Sequence, residues 1–182
     1  MTDIYEKLDA NGKKAFKEAI AHIAAGERGA AQQIKLVVEV SGGAPGERFE
    51  SRTEVNASGK ITRKTMDQLN KILPKEYSGD LAAVEVKEIF QKLSASGMLE
   101  QPQKDYRILP DSLVGSVVVE VGGTRKKIYF PVEEEDLGER AATLGVLSVV
   151  DNPKLKIDRK NVPGFVADIY DVVGKFAKRL KK

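Results

Sequence analysis

Cysteine is absent from the 182 residues of this chain. That excludes disulfides, thiolate nucleophiles and cysteine-based zinc or iron–sulfur sites. It also makes a reducing, cytoplasmic setting the simplest expectation. Histidine occurs once, at His22. A zincin needs two histidines one helical turn apart, so that chemistry is excluded. A Ser-His-Asp site would have to recruit His22, which has no neighbouring signature. We read His22 as a surface residue, off the apolar stripe of its helix. No apolar run approaches the ~20 residues of a membrane helix. Met1–Lys7 lacks a basic start followed by an apolar stretch, so no signal peptide is expected. A dominant charge sign is missing too. The 30 basic and 27 acidic residues leave a net charge of +3, which is weak evidence for a nucleic-acid partner.

What remains is a highly charged globular composition, 41% hydrophobic and 31% charged, sized for one domain. We expect a helical segment over residues 1–33 leading into an α+β domain over residues 34–182, together one compact unit. Phe16, Ile20 and Ile23 recur at helical spacing and Gly26 offers a stop, which predicts a helix from about Gly12 to Ala25, after a break at Asn11-Gly12. Ile34, Leu36, Val38 and Val40 alternate with polar Lys35 and Glu39. Beyond a glycine-rich connection, Arg48, Glu50, Arg52 and Glu54 alternate with Phe49, Ser51, Thr53 and Val55. Side chains two apart share a strand face, so this is a half-buried antiparallel pair. Asn56–Gly59 closes it with turn chemistry. Met66, Leu69, Ile72 and Leu73 predict a short helix ended by Pro74, followed by a loop over Pro74–Asp80. Ala82, Val86, Ile89, Phe90 and Leu93 predict another helix.

A second hairpin follows. Val117, Val119 and Val121 form one face, Gly122-Gly123 supplies a primed turn, and Ile128 and Phe130 continue the face before Pro131. Arg125, Lys127 and Tyr129 point the other way. Leu137, Ala141, Leu144 and Leu147 suit a helix, while Leu144–Val150 suits a buried strand, and short apolar runs do not decide between them. The last helix has Asn161 as N-cap, Pro163 in its first turn and a stripe of Phe165, Ile169, Val172, Phe176 and Leu180. The expected fold is thus α+β, an antiparallel sheet of about four strands from two hairpins, with helices on one face.

Few residues suggest chemistry. Glu133–Asp136 is the densest acidic run. Consecutive carboxylates diverge on any regular element and the EF-hand spacing is absent, so an acidic helix start explains it better than a cation site. Ser41–Glu47 resembles a phosphate cradle only superficially, because Glu47-Arg48 stands where a P-loop has Lys-Ser/Thr and a strand follows instead of a helix. We therefore expect no metal, no cofactor and no enzymatic activity. Gly42, Gly43, Ala44, Pro45 and Gly46 are the candidate recognition loop, since loops on a rigid sheet commonly carry binding. Tyr129, beside Arg125 and Lys127, is a second candidate anchor. Lys175, Lys178, Arg179, Lys181 and Lys182 crowd the C-terminus and suit the helix dipole. Phosphate contacts are their alternative use.

The order of elements resembles the emfourin family, small protein inhibitors of thermolysin-type metallopeptidases. The likeness lies in a first strand ending Ser41-Gly42-Gly43, a Pro110-Asp111-Ser112 lead into a second hairpin, Gly122-Gly123 and a closing helix. It spans about four-fifths of the chain, from Ile34 onward. The loop reads Gly-Gly-Ala-Pro where that family's pattern has Gly-Gly-aromatic, so the loop alone is carried over as a contact. The resemblance implies a binding or regulatory protein whose partner is another protein, in its sharpest form a metallopeptidase. The alternative is a nucleic-acid-associated protein using the basic C-terminal helix. Self-association is open, and no membrane partner is expected.

Overall fold

The computed structural model describes residues 5–27, 33–68, 71–102, 113–132 and 164–181. Within them lie three α-helices, α1 (Ala10–Ala25), α2 (Ala83–Ala95) and α3 (Gly164–Ala177), and six strands. The strands are β1 (Ile34–Gly42), β2 (Phe49–Asn56), β3 (Lys60–Asp67), β4 (Ile72–Asp80), β5 (Leu113–Val121) and β6 (Thr124–Val132). All six form one antiparallel sheet in the order β4-β3-β2-β1-β5-β6.

The expected four strands are therefore six. The helix expected around Met66–Leu73 and the loop expected over Pro74–Asp80 are instead a third hairpin, β3–β4. Two features hid it. Arg63 and Thr65 occupy positions in β3 that register with the inward residues Thr53 and Ser51, so no apolar alternation announces the strand. Pro74 lies in an edge strand, where a missing N–H costs no ladder bond if it faces solvent.

The two recognised hairpins form as expected. Val121 pairs with Thr124 across Gly122 (φ 54°) and Gly123 (φ 84°), the two left-handed residues of a type I′ turn. β6 continues through Pro131 to Val132. The first helix begins earlier than expected. Asp9 caps it, its carboxylate accepting from the Gly12 amide at 2.7 Å, so Asn11-Gly12 lies inside the first turn. Asn161, Pro163 and the ambiguous stretch 133–150 lie outside the described residues.

One core joins helices and sheet. Phe16, Ile20 and Ile23 of α1, Val86, Ile89, Phe90 and Leu93 of α2, and Val166, Ile169, Val173 and Phe176 of α3 meet Leu36, Val38, Val40, Val117, Val119, Ile128 and Phe130. Helix α1 packs on α2, α2 on α3, and α3 reaches β2 and β3. Each fully buried aliphatic side chain contributes about 1.5–3 kcal/mol. Tyr170 of α3 is buried with its hydroxyl donating to the carbonyls of Glu39 (2.6 Å) and Ser116 (3.1 Å). Burial pushes the Tyr170 phenol far above its usual range, so it stays a neutral donor.

Candidate functional site

The glycine-rich connection between β1 and β2 is a shaped turn, not slack chain. Pro45 and Gly46 are its central residues, with Gly46 at φ 85° and the Glu47 amide donating to the Ala44 carbonyl at 2.9 Å. Proline followed by a left-handed glycine is the signature of a type II turn. Gly43 holds φ 97°, and a Cβ there would lie 2.5 Å from the backbone oxygen of Glu47. Only glycine meets both constraints. The base is tied to the next hairpin. Gln68 accepts from the Arg48 amide through Oε1 (3.2 Å), and its own amide donates to the Arg48 carbonyl (2.9 Å). Pro45, Gly46, Glu47 and Arg48 are exposed, while Gly42, Gly43 and Ala44 are half-buried.

Tyr129 is half-buried on the face of the sheet that carries Lys127 and Arg125. It pairs with Ser116 of β5, which pairs with Glu39 of β1. Two strand spacings, roughly 10 Å, separate Tyr129 from β1, so the structure does not bring it together with the Gly42–Gly46 turn. This outer face is a charged lattice. Arg52 forks onto Glu54 (Nε 2.8 Å and Nη2 2.6 Å) and reaches Glu39 (3.1 Å), and Lys35 approaches Glu54 at 3.8 Å. Its centre is nonetheless partly buried. Val37 and Ser116 are buried there, and Val37 pairs with Val118.

The other candidates have structural partners. His22 is exposed, with Nδ1 2.5 Å from Glu27 Oε2. At the C-terminus, Lys175 bonds Glu88 (2.7 Å) and Arg179 bonds Glu85 (2.6 Å), and both cations flank the Phe176 ring at 4.9 and 5.0 Å. These two charges tie α3 and the turn after it to α2. Glu133–Asp136 lies outside the described residues. Among the described residues no three His, Asp or Glu side chains gather as metal ligands, and no helix is long and apolar enough to cross a membrane.

Sequence reasoning missed a buried lysine. Lys126 has no exposed surface and forms an ion pair with Glu6, from a short 3₁₀ turn (Tyr5–Lys7) laid over β6. Its Nζ stands 5.2 Å from the Tyr5 ring centroid, and Lys13 approaches Glu6 at 3.6 Å. The Lys126 bond holds the Glu6 carboxyl below its usual range. The signal was present, since Lys126 falls between Thr124 and Ile128 on the inward register, but a lysine there reads as exposed. Arg63 and Asp67 are likewise buried on the inner face of β3. No family model matches the chain, and no curated protein matches it.

Proposed function

We propose that this chain is a non-enzymatic binding protein that engages another protein through the exposed turn Ala44–Glu47. The observation that carries this reading is the turn's defined geometry. It is fixed by left-handed glycines at 43 and 46 and clamped to Gln68 at its base. A recognition loop already held in its bound shape loses little conformational entropy on docking. The six-stranded sheet behind it is the rigid scaffold on which such loops act. Inhibition of a thermolysin-type metallopeptidase is the sharpest form of the proposal, since a narrow convex turn suits a substrate cleft. The engaged Lys175 and Arg179 disfavour the nucleic-acid alternative, because phosphate binding would compete with their bonds to α2.

A titration tests the inhibitor form. A thermolysin-type peptidase is assayed against increasing wild-type chain and against Gly43→Val, whose side chain collides with Glu47 backbone. Stoichiometric loss of peptidase activity with wild type, relieved at least tenfold by Gly43→Val at unchanged helical and strand content, supports it. Full peptidase activity at large molar excess of the chain removes the inhibitor form. Binding that survives Gly43→Val removes the turn as the contact.

A further inference from the structure

Among the described residues, strand β4 closes one side of the sheet with nothing paired beyond it. Its outward groups follow from one bond. The Leu81 amide donates to the Gly59 carbonyl at 2.7 Å, and the same register pairs Ile61 with Gly79, Arg63 with Tyr77 and Thr65 with Lys75. Antiparallel ladders alternate, so 75, 77 and 79 turn their amides and carbonyls toward β3. The N–H and C=O groups of Glu76, Ser78 and Asp80 therefore point away from the sheet. Pro74 shares that outward parity and offers a carbonyl only. Below it, Leu73 and Pro74 together oppose the single Met66, a bulge that leaves Leu73 75% exposed.

We infer that β4 pairs with β4 of a second copy, antiparallel about a two-fold axis at Tyr77, extending the sheet through both molecules. A two-fold axis normal to the sheet keeps inner faces inner, so opposed residues must share a face. That leaves few registers. One opposes Glu76 to Glu76, another Lys75 to Lys75, and a third opposes Glu76 to Asp80 twice. Like charges directly opposite destabilise a pair. The register centred on Tyr77 has none of these. It sets Glu76 against Ser78, Lys75 against Gly79, and Pro74 against Asp80. The absent proline N–H falls in the outermost pairs, where Pro74 still accepts from Asp80. Among the alignments that pair at least seven residues of β4, the charges that guard this edge against indiscriminate strand addition thus leave one self-complementary alignment open. The contact is small, at the low end of specific interfaces, so the dimer forms in a concentration-dependent way.

The chain has no cysteine, which gives a direct test. In this register the two Tyr77 residues form a non-hydrogen-bonded pair with Cα atoms about 4.5 Å apart, within disulfide reach. Tyr77→Cys is expected to cross-link to itself under mild oxidation, while Ser58→Cys, on the exposed turn before β3, is not. Sedimentation equilibrium of the cysteine-free chain is expected to show a monomer–dimer equilibrium. Ser78→Pro, which removes an outward N–H, abolishes it with circular dichroism unchanged. Ser78→Glu, facing Glu76 of the other copy, weakens it about tenfold, and Ser78→Lys tightens it. A monomer up to millimolar concentration overturns the inference. So does a dimer indifferent to Ser78→Pro, or equal cross-linking through Ser58→Cys.

Discussion

The two halves of the sheet are built from different materials. In β1, β5 and β6 the inward positions are Leu36, Val38, Val40, Val117, Val119, Ile128 and Phe130, all buried in the common core. In β2, β3 and β4 the rows of Val38 and Val40 turn polar, as Thr53, Arg63 and Tyr77 and as Ser51, Thr65 and Lys75, while the row of Leu36 stays apolar through buried Val55 and Ile61. One sheet, one register and one ladder of backbone bonds therefore join an apolar half to a polar half. The apolar half supplies most of the strand side chains that meet the helices, and Val55 and Ile61 of β2 and β3 add to them. The polar half ends on the charged β4 edge and carries the clamp, Gln68, beneath the exposed turn. On this division stability and the proposed recognition are separable, and mutations in the two halves are expected to have unlike consequences.

The largest expected effect lies in the apolar half. Phe130 covers Gly115 so closely that a Cβ on that glycine would lie 2.3 Å from the ring. Phe130→Ala opens a cavity that the sheet backbone cannot collapse to fill, and is expected to cost about 3–5 kcal/mol. Urea titration measures it, and a loss below 1 kcal/mol would place the core elsewhere. The next effect probes the one charged residue buried within this half. Glu6→Ala leaves Lys126 buried without its carboxylate and is expected to cost about 1–3 kcal/mol. Lys126→Met, which removes the charge with little change of shape, is expected to be near neutral.

The same pair sets a pH dependence. The Lys126 bond lowers the Glu6 carboxyl from its usual 4.5. A folded pKa below the unfolded one stabilises the fold fully above pH 4.5, and that stability is lost as pH falls through the folded value. Wild type is expected to exceed Glu6→Gln in stability at neutral pH and to converge with it in acid. A constant gap between the two across that range would show that the carboxylate contributes no pH-dependent stability.

The same division explains what could be read in advance. The hairpins at Gly42–Gly46 and Gly122–Gly123 were legible because β1, β5 and β6 alternate apolar residues with polar ones and carry turn glycines. So were α1, α2 and α3, whose stripes repeat at helical spacing. The β3–β4 hairpin was not legible, because Arg63 and Thr65 break its inward row after Ile61 and its edge strand holds a proline. Met66, Leu69, Ile72 and Leu73 then formed an accidental helical period. The location of the exposed turn was legible from Pro45-Gly46, but its clamp was not. That depends on Gln68, twenty residues beyond Arg48, brought alongside by a strand the sequence pattern concealed. The pairing of Lys126 with Glu6 spans the fold in the same way and leaves no local trace.

The smallest effect sharpens the comparison at the boundary between core and ladder. Tyr170 reaches from α3 to the carbonyls of Glu39 and Ser116, which lie opposite each other on β1 and β5, and packs edge-on to Phe130 at 6.2 Å. Tyr170→Phe keeps the ring and its packing and removes only the hydroxyl. The two carbonyls belong to a ladder already supplied with backbone donors, so the loss is that of a supplementary hydrogen bond, about 1 kcal/mol. Urea titration beside Phe130→Ala makes the comparison direct, since the two residues are partners in one aromatic contact and only one substitution removes a ring. If Tyr170→Phe cost as much as Phe130→Ala, the hydroxyl and not the apolar face would be what seats α3 on the sheet.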